Sequence, residues 1–148
     1  MNTLTVMRGL PGSGKSYEIL KRWPDATPYP LAPEGWSPVV VSGDHFFMDW
    51  STGKYRFDKT KMGVAHVMAQ IHAFRAMKAG QDVILDNTVT RRWEILLYLE
   101  MAEQFGYKVE IIDLFDGGLT DKQLAARNVH GVPIDTITSM RHRWEKDL

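Results

Sequence analysis

Residues 9–16 read Gly9-Leu10-Pro11-Gly12-Ser13-Gly14-Lys15-Ser16, a complete loop of the form G-x-x-x-x-G-K-[ST], and this stretch decides the fold. Leu4-Thr5-Val6-Met7 before it reads as a short buried strand, and Tyr17 to Trp23 after it reads as a helix. A strand–loop–helix context is what gives such a loop its meaning. Its backbone N–H groups curl inward and surround phosphate oxygens, so the loop points to a nucleoside triphosphate. Lys15 neutralises phosphate charge and Ser16 can ligand Mg²⁺, which makes Gly9, Pro11, Gly12, Ser13, Gly14, Lys15 and Ser16 the candidate nucleotide site.

Further along the chain the same alternation continues. Pro24 to Pro38 holds five prolines and is neither helix nor central strand. Val39-Val40-Val41-Ser42 is a second β-branched run, and it places Asp44 at a strand's carboxyl end. His45 to Asp58 is an aromatic-rich loop. From Lys59 to Ala79, Val64, Val67, Met68, Ile71, Phe74 and Met77 recur at spacings of three and four, the pattern of one long amphipathic helix ended by Gly80. Asp82 to Asp86 is a third strand, Arg91 to Phe105 a helix, and Tyr107 to Phe115 contains a fourth strand. A short helix from Asp121 to Asn128 and a final one reaching Trp144 complete the chain.

Strands alternating with helices imply an α/β fold of the P-loop NTPase type. The expectation is a parallel sheet of about four to five strands flanked by helices, with a short helical lid. Ligands bind at the carboxyl ends of such strands, so Asp44 and Asp86 belong beside the loop. The whole of residues 1–148 reads as one catalytic domain.

Composition narrows the partners. The 18 basic and 18 acidic side chains cancel, so no global field draws the chain to a polyanion, although a few local arginines suffice to hold one strand end. The absence of cysteine excludes disulfide-linked partners, zinc knuckles and thiol catalysis. No apolar run approaches the ~20 residues that span a bilayer. With Met1 almost directly at the first strand, the expectation is a cytoplasmic protein without a membrane role.

The reaction class follows from what accompanies the loop. Hydrolytic motors usually follow the strand-ending aspartate with a water-activating glutamate, whereas Asp86 is followed by Asn87; the Asn-Lys-x-Asp tetrad of GTPases is missing too. Transfer to a hydroxyl is therefore favoured over transfer to water. Such transfer needs a group to take the acceptor's proton and cations over the migrating phosphoryl. Asp44 is the candidate proton acceptor, with capping of the following turn or holding of a magnesium-bound water as its alternative role. Asp86 holds Mg²⁺ or hydrogen-bonds the loop around Thr88. Arg127, on the short helix, is placed to stabilise the phosphoryl or simply to face water.

Taken together, Gly9 to Ser16, Ser42-Gly43-Asp44-His45-Phe46-Phe47, Tyr55-Arg56-Phe57, Ala65-His66, Asp86-Asn87-Thr88 and Ala126-Arg127-Asn128-Val129-His130-Gly131-Val132-Pro133 resemble the kinase domain of phage-type 5′-hydroxyl polynucleotide kinases. They are similar also to the polynucleotide-kinase-like domain of NEDD4-binding proteins. The resemblance implies ATP or another nucleoside triphosphate and Mg²⁺ as cofactors, and the 5′-hydroxyl end of DNA or RNA as acceptor. It implies Lys15 and Ser16 on triphosphate and metal, Asp44 as general base, Arg127 as lid arginine, and Val132 and Pro133 at the nucleotide.

Two departures qualify the implied acceptor. Phe47 stands where the phage kinases carry an arginine that grips the acceptor's phosphate, and the lid is shorter beyond Arg127. Phe47 either stacks on a terminal base or belongs to the core. Arg56, Arg91 and Arg92, with Asn87 and Thr88, are then the candidates to hold the acceptor strand. Arg141 and Arg143 on the last helix are expected to face water, and His66 and His72 to be structural. Two other functions remain open at this stage: a kinase of a small hydroxyl compound, such as a nucleoside, sugar or antibiotic, and a nucleotide-binding module that turns nothing over.

Overall fold

The β-branched runs pair as parallel strands in the computed structural model, which describes residues 1–148. Strands β1 (Thr3–Arg8), β2 (Thr27–Pro28) and β3 (Val39–Val41) alternate with helix α1 (Lys15–Arg22). A small antiparallel hairpin follows, β4 (Met48–Asp49) with β5 (Lys54–Tyr55), then α2 (Met62–Lys78), β6 (Val83–Asp86) and α3 (Leu96–Gln104). Strand β7 (Lys108–Asp113) and helices α4 (Asp121–Arg127) and α5 (Ile134–His142) complete the chain. The main sheet is five-stranded and all parallel, in the order β2-β3-β6-β1-β7. This is the parallel P-loop NTPase-type sheet that the alternating pattern implies.

Because side chains alternate along a strand, the sheet has two differently packed faces. Leu4, Val6, Val39, Val41, Val83 and Leu85 point to one face, where they join the core formed with α2 and α3. Met7, Val40 and Ile84 point to the other and meet Ile19 of α1. A third cluster, Leu10, Leu124 and Ile137, welds the loop's second residue to α4 and α5.

Helix α2 corrects the expected face. Ala65, Ala69, Ala73 and Ala76 are its buried residues, with Met77, whereas Val64, Val67, Ile71 and Phe74 are 37–51% exposed. Small side chains let the helix axis approach the sheet closely, and the larger apolar groups are left on its outer flank. The periodicity identifies a helix correctly but not which stripe faces inward.

Arg8, at the end of β1, is fully buried. Its Nε and Nη2 donate to the Val89 carbonyl at 3.0 and 2.8 Å, and its Nη1 pairs with Asp113 Oδ2 at 2.9 Å. The guanidinium also lies 3.9 Å from the centroid of the Trp144 ring. Val89 itself has φ 52°, a left-handed setting that a β-branched residue rarely takes. A further correction concerns the last helix. Arg141 does not simply face water: it bonds Asp116 and Asp121 at 2.7 Å each and the Leu119 carbonyl at 3.0 Å. Arg143 donates through Nε to the Thr90 hydroxyl at 3.0 Å.

Candidate active site

The site forms where β1, β3 and β6 end. The loop leaves β1 and enters α1 at Lys15, and two of its glycines adopt the left-handed region, Gly12 at φ 83° and Gly14 at φ 105°. Gly12 is required on two counts, since any Cβ there would run into the backbone carbonyl of Leu124. The loop is thereby seated directly on α4. Its Gly9 amide donates to the Thr88 carbonyl at 3.2 Å and the Leu10 amide to the Phe115 carbonyl at 2.8 Å.

Lys15 folds back over the loop, Nζ donating to the Gly9 carbonyl at 2.8 Å. Burial lowers its pKa, and the negative charges of Asp86 and Asp44 pull it back up. The buried Ser13 hydroxyl has no partner. An orphaned hydroxyl and a lysine reaching inward in one loop are donors suited to phosphate oxygens. Ser16 and Asp86 line one cavity of about 210 Å³ between α1 and the sheet, together with Ile19, Trp23 and Val40. A serine hydroxyl and a carboxylate in that cavity are hard oxygen donors of the kind Mg²⁺ takes. Burial raises the Asp86 carboxyl, with Lys15 opposing.

Asp44 lies in the tight 3₁₀ turn Gly43–Phe47 that follows β3. Two hydrogen bonds shape this turn. The Asp44 amide donates to Ser42 Oγ at 3.1 Å, and the Gly43 amide to Asn87 Oδ1 at 3.1 Å, which ties the ends of β3 and β6 together. Tyr55 of the hairpin donates its hydroxyl to Asp44 Oδ1 at 2.9 Å. His130 Nδ1 sits 3.1 Å from Asp44 Oδ2, and its ring stacks on Tyr55 at 4.2 Å between centroids and 14° between planes. Burial works to raise the Asp44 carboxyl, but the hydrogen bond and charge of His130, the Tyr55 hydroxyl and Lys15 together hold it below its usual value. The Asp44 bond and charge raise the His130 imidazole in turn.

The structure thus brings Lys15 and Asp86 into electrostatic reach of Asp44. Arg127 is exposed at the end of α4. Val132 packs against the Leu10–Leu124–Ile137 cluster, and Pro133 caps α5. Phe47 is buried among Phe46, Tyr55 and Phe57, its ring 5.1–6.0 Å from theirs. Phe46, Phe47, Phe57 and Arg56 line an open groove of about 800 Å³ that also carries Lys59 and Lys61. Arg91 and Arg92 are exposed; the Arg91 guanidinium donates to the Arg143 carbonyl, and the backbone amide of Arg92 donates to Glu145. Thr88 lends its carbonyl to the loop and Asn87 its side chain to Gly43.

Tyr55 and His130 carry no sequence signal of their own for this role. Both lie within quoted motifs, but their meeting at Asp44 joins residues far apart in the chain, and no local period reports it.

Residues 4–146 match the AAA_33 family, an AAA domain. The chain belongs to that family. This AAA domain is 36% identical over 149 residues to human (Homo sapiens) NEDD4-binding protein 2, covering 97% of the chain and 8% of that protein. It is 27% identical over 150 residues to the mouse (Mus musculus) 2′,3′-cyclic-nucleotide 3′-phosphodiesterase, covering 99% of the chain and 32% of that protein. It therefore spans less than a third of the length of these curated relatives. Among solved structures, the AAA domain superposes on a chain of the Pnkp1/Rnl/Hen1 RNA repair complex with a TM-score of 0.66 at 15% identity, covering 96% of this chain and 43% of that one. The fold is that of a kinase-like P-loop domain, and the relatives are consistent with the polynucleotide-kinase-like resemblance. No helix is long and apolar enough to cross a membrane.

Proposed function

We propose that the domain transfers the γ-phosphoryl of ATP to the 5′-hydroxyl end of DNA or RNA, with Asp44 as general base. The observation that carries this is the setting of Asp44. Its carboxylate stands at the end of β3, in electrostatic reach of Lys15, ionised and held by two donors. A likeness to a chain of an RNA repair complex and to NEDD4-binding protein 2 supports the choice of a nucleic-acid end.

When bound, ATP would supply the phosphoryl group and Mg²⁺ would neutralise phosphate charge. The amides of Gly12, Gly14, Lys15 and Ser16, which the Gly9, Leu10 and Ser13 bonds to carbonyls leave free, would hold the phosphates with the Ser13 hydroxyl and the Lys15 ammonium, and Ser16 and Asp86 the metal. Val132 and Pro133 close the nucleotide side. Asp44 accepts a hydrogen bond from the acceptor hydroxyl and takes its proton late in the transfer, a task for which a carboxylate of low pKa is adequate. Arg127 adds positive charge over the migrating phosphoryl. Phe47, Arg56, Asn87, Thr88, Arg91 and Arg92 are the candidate acceptor contacts, with Arg56 in the aromatic groove the best placed.

Labelled ATP incubated with 5′-hydroxyl DNA and RNA strands tests this directly. Label at the 5′ end is the expected result, with transfer reduced about 10²- to 10⁴-fold in Asp44→Asn. Failure of the wild-type chain to label any strand overturns the reading. Phosphorylation of a small hydroxyl compound instead is the second reading, favoured by the burial of Phe47, which lacks the charged fork of an arginine. Acceptor affinity that falls steeply with salt separates strand phosphate contacts from such a compound.

A further inference from the structure

Each oxygen of the Asp44 carboxylate has a donor from a different part of the fold. Tyr55, on the hairpin, reaches Oδ1, and His130, on the segment joining α4 to α5, reaches Oδ2. Stacking of the two rings makes the pair a single clamp. The segment that carries His130 is itself stapled by Asn128. That side chain donates to the Ala125 and Val132 carbonyls at 2.9 and 3.2 Å and accepts from the Val132 amide at 2.8 Å. His130 therefore sits at the tip of a closed loop, three positions beyond Arg127, with its side chain one-third exposed.

We propose that His130 is a positioning residue that latches the segment between α4 and α5 onto Asp44, so that the base is aimed at the acceptor only while this segment lies closed over the site. The proposal rests on Asp44 being the base. Two donors leave the carboxylate room for a third, since its two oxygens offer about four lone-pair sites and the side chain is 46% exposed. An acceptor hydroxyl can thus reach Asp44 without displacing the clamp. The clamp fixes the carboxylate's rotamer, which solvent alone would leave free to turn away.

The titratable groups facing His130 come from every side of the site: the charges of Asp44 on the turn, Asp86 on β6 and Lys15 on α1, the neutral Tyr55 phenol on β5, and His45 beside Asp44. The bond to Asp44 raises the imidazole most, with burial and Lys15 opposing. A raised value means that the imidazolium persists to higher pH than in an unfolded chain, and the latch loosens as pH rises through that value.

Imidazole-resolved NMR titration of the nucleotide-free full chain reads the contact without any assay of activity. His130 is expected to titrate above the ordinary ~6.5 and to fall back towards it in Asp44→Asn. Steady-state transfer reads the role. His130→Ala should lower kcat about 10- to 100-fold, as misaimed catalytic groups do, with the ATP KM unchanged. His130→Asn, whose amide can donate from nearly the place of Nδ1, should recover most of the rate and lose the high-pH decline. Tyr55→Phe combined with His130→Ala should cost less than the sum of the two alone, because both act on one carboxylate. A His130 titration indifferent to Asp44→Asn overturns the latch. So does a His130→Ala variant with full kcat, or one whose loss appears wholly in ATP binding. A wild-type chain that phosphorylates no strand overturns the functional reading instead, and the titration still decides the latch.

Discussion

Replacing Arg8 with Met should destabilise the domain by about 3–5 kcal/mol, the range for stranding the partners of a buried cation. The magnitude can be built from its contacts. Loss of the two bonds to the buried Val89 carbonyl leaves that oxygen unsatisfied, at about 1–3 kcal/mol. Asp113 is 30% exposed, so water recovers much of its lost partner and the ion pair adds only about 1 kcal/mol. The contact with the Trp144 ring, made by a guanidinium shielded from water, adds about 1–2 kcal/mol. Released from Arg8, the Val89 carbonyl also frees a residue held at φ 52°, so the segment next to the Gly9–Thr88 bond should loosen as well. At about 2–4 °C per kcal/mol for a domain of this size, the melting temperature should fall by roughly 10 °C. Urea unfolding followed by circular dichroism measures the change, with Arg8→Lys expected to retain part of the stability. A loss under ~1 kcal/mol for Arg8→Met would refute the reasoning, because it would mean that Val89 finds another donor or that the contacts carry no net energy.

Two further predictions concern the loop and the acid range. Gly12→Ala should weaken ATP binding at least about tenfold, since its Cβ would have to push the loop away from the Leu124 carbonyl while holding φ near 83°; fluorescent-nucleotide titration measures it, and unchanged affinity would show that loop and α4 separate freely. His45, whose Nδ1 is buried without a partner, is pushed by burial down to about 4. The folded chain therefore resists a proton that the unfolded chain accepts at ~6.5. The stability this residue supports is complete above that pH and is lost as pH falls towards 4, so urea midpoints should decline across that window and decline less in His45→Gln.

Much of the fold was legible because parallel, doubly buried strands are written as short β-branched runs. Val39–Val41 and Val83–Leu85 announce themselves in this way, and Asp44 and Asp86 follow from them. Strands of two residues carry no period, so β2 in the proline-rich segment and the β4–β5 hairpin were invisible. Hydropathy ranks Val64 and Phe74 above Ala69 and Ala73, yet it holds no information on how near a helix can come to a sheet. The exposed expectation for Arg141 failed for a related reason: its partners, Asp116 and Asp121, are set by how α4 and α5 pack. Tyr55 and His130 meet at Asp44 only after the chain has closed on itself.

The alanine flank of α2 implies an inverted mutational landscape for that helix. A saturation scan scored by folding yield would find Ala69→Val or Ala73→Leu among its most damaging changes, because added methylenes have nowhere to go in a close-packed seam. Val64→Ala and Val67→Ala, half exposed on the outer flank, would pass nearly unnoticed. Tolerance along this helix tracks the distance to the sheet, and a hydrophobicity scale applied position by position would rank it backwards.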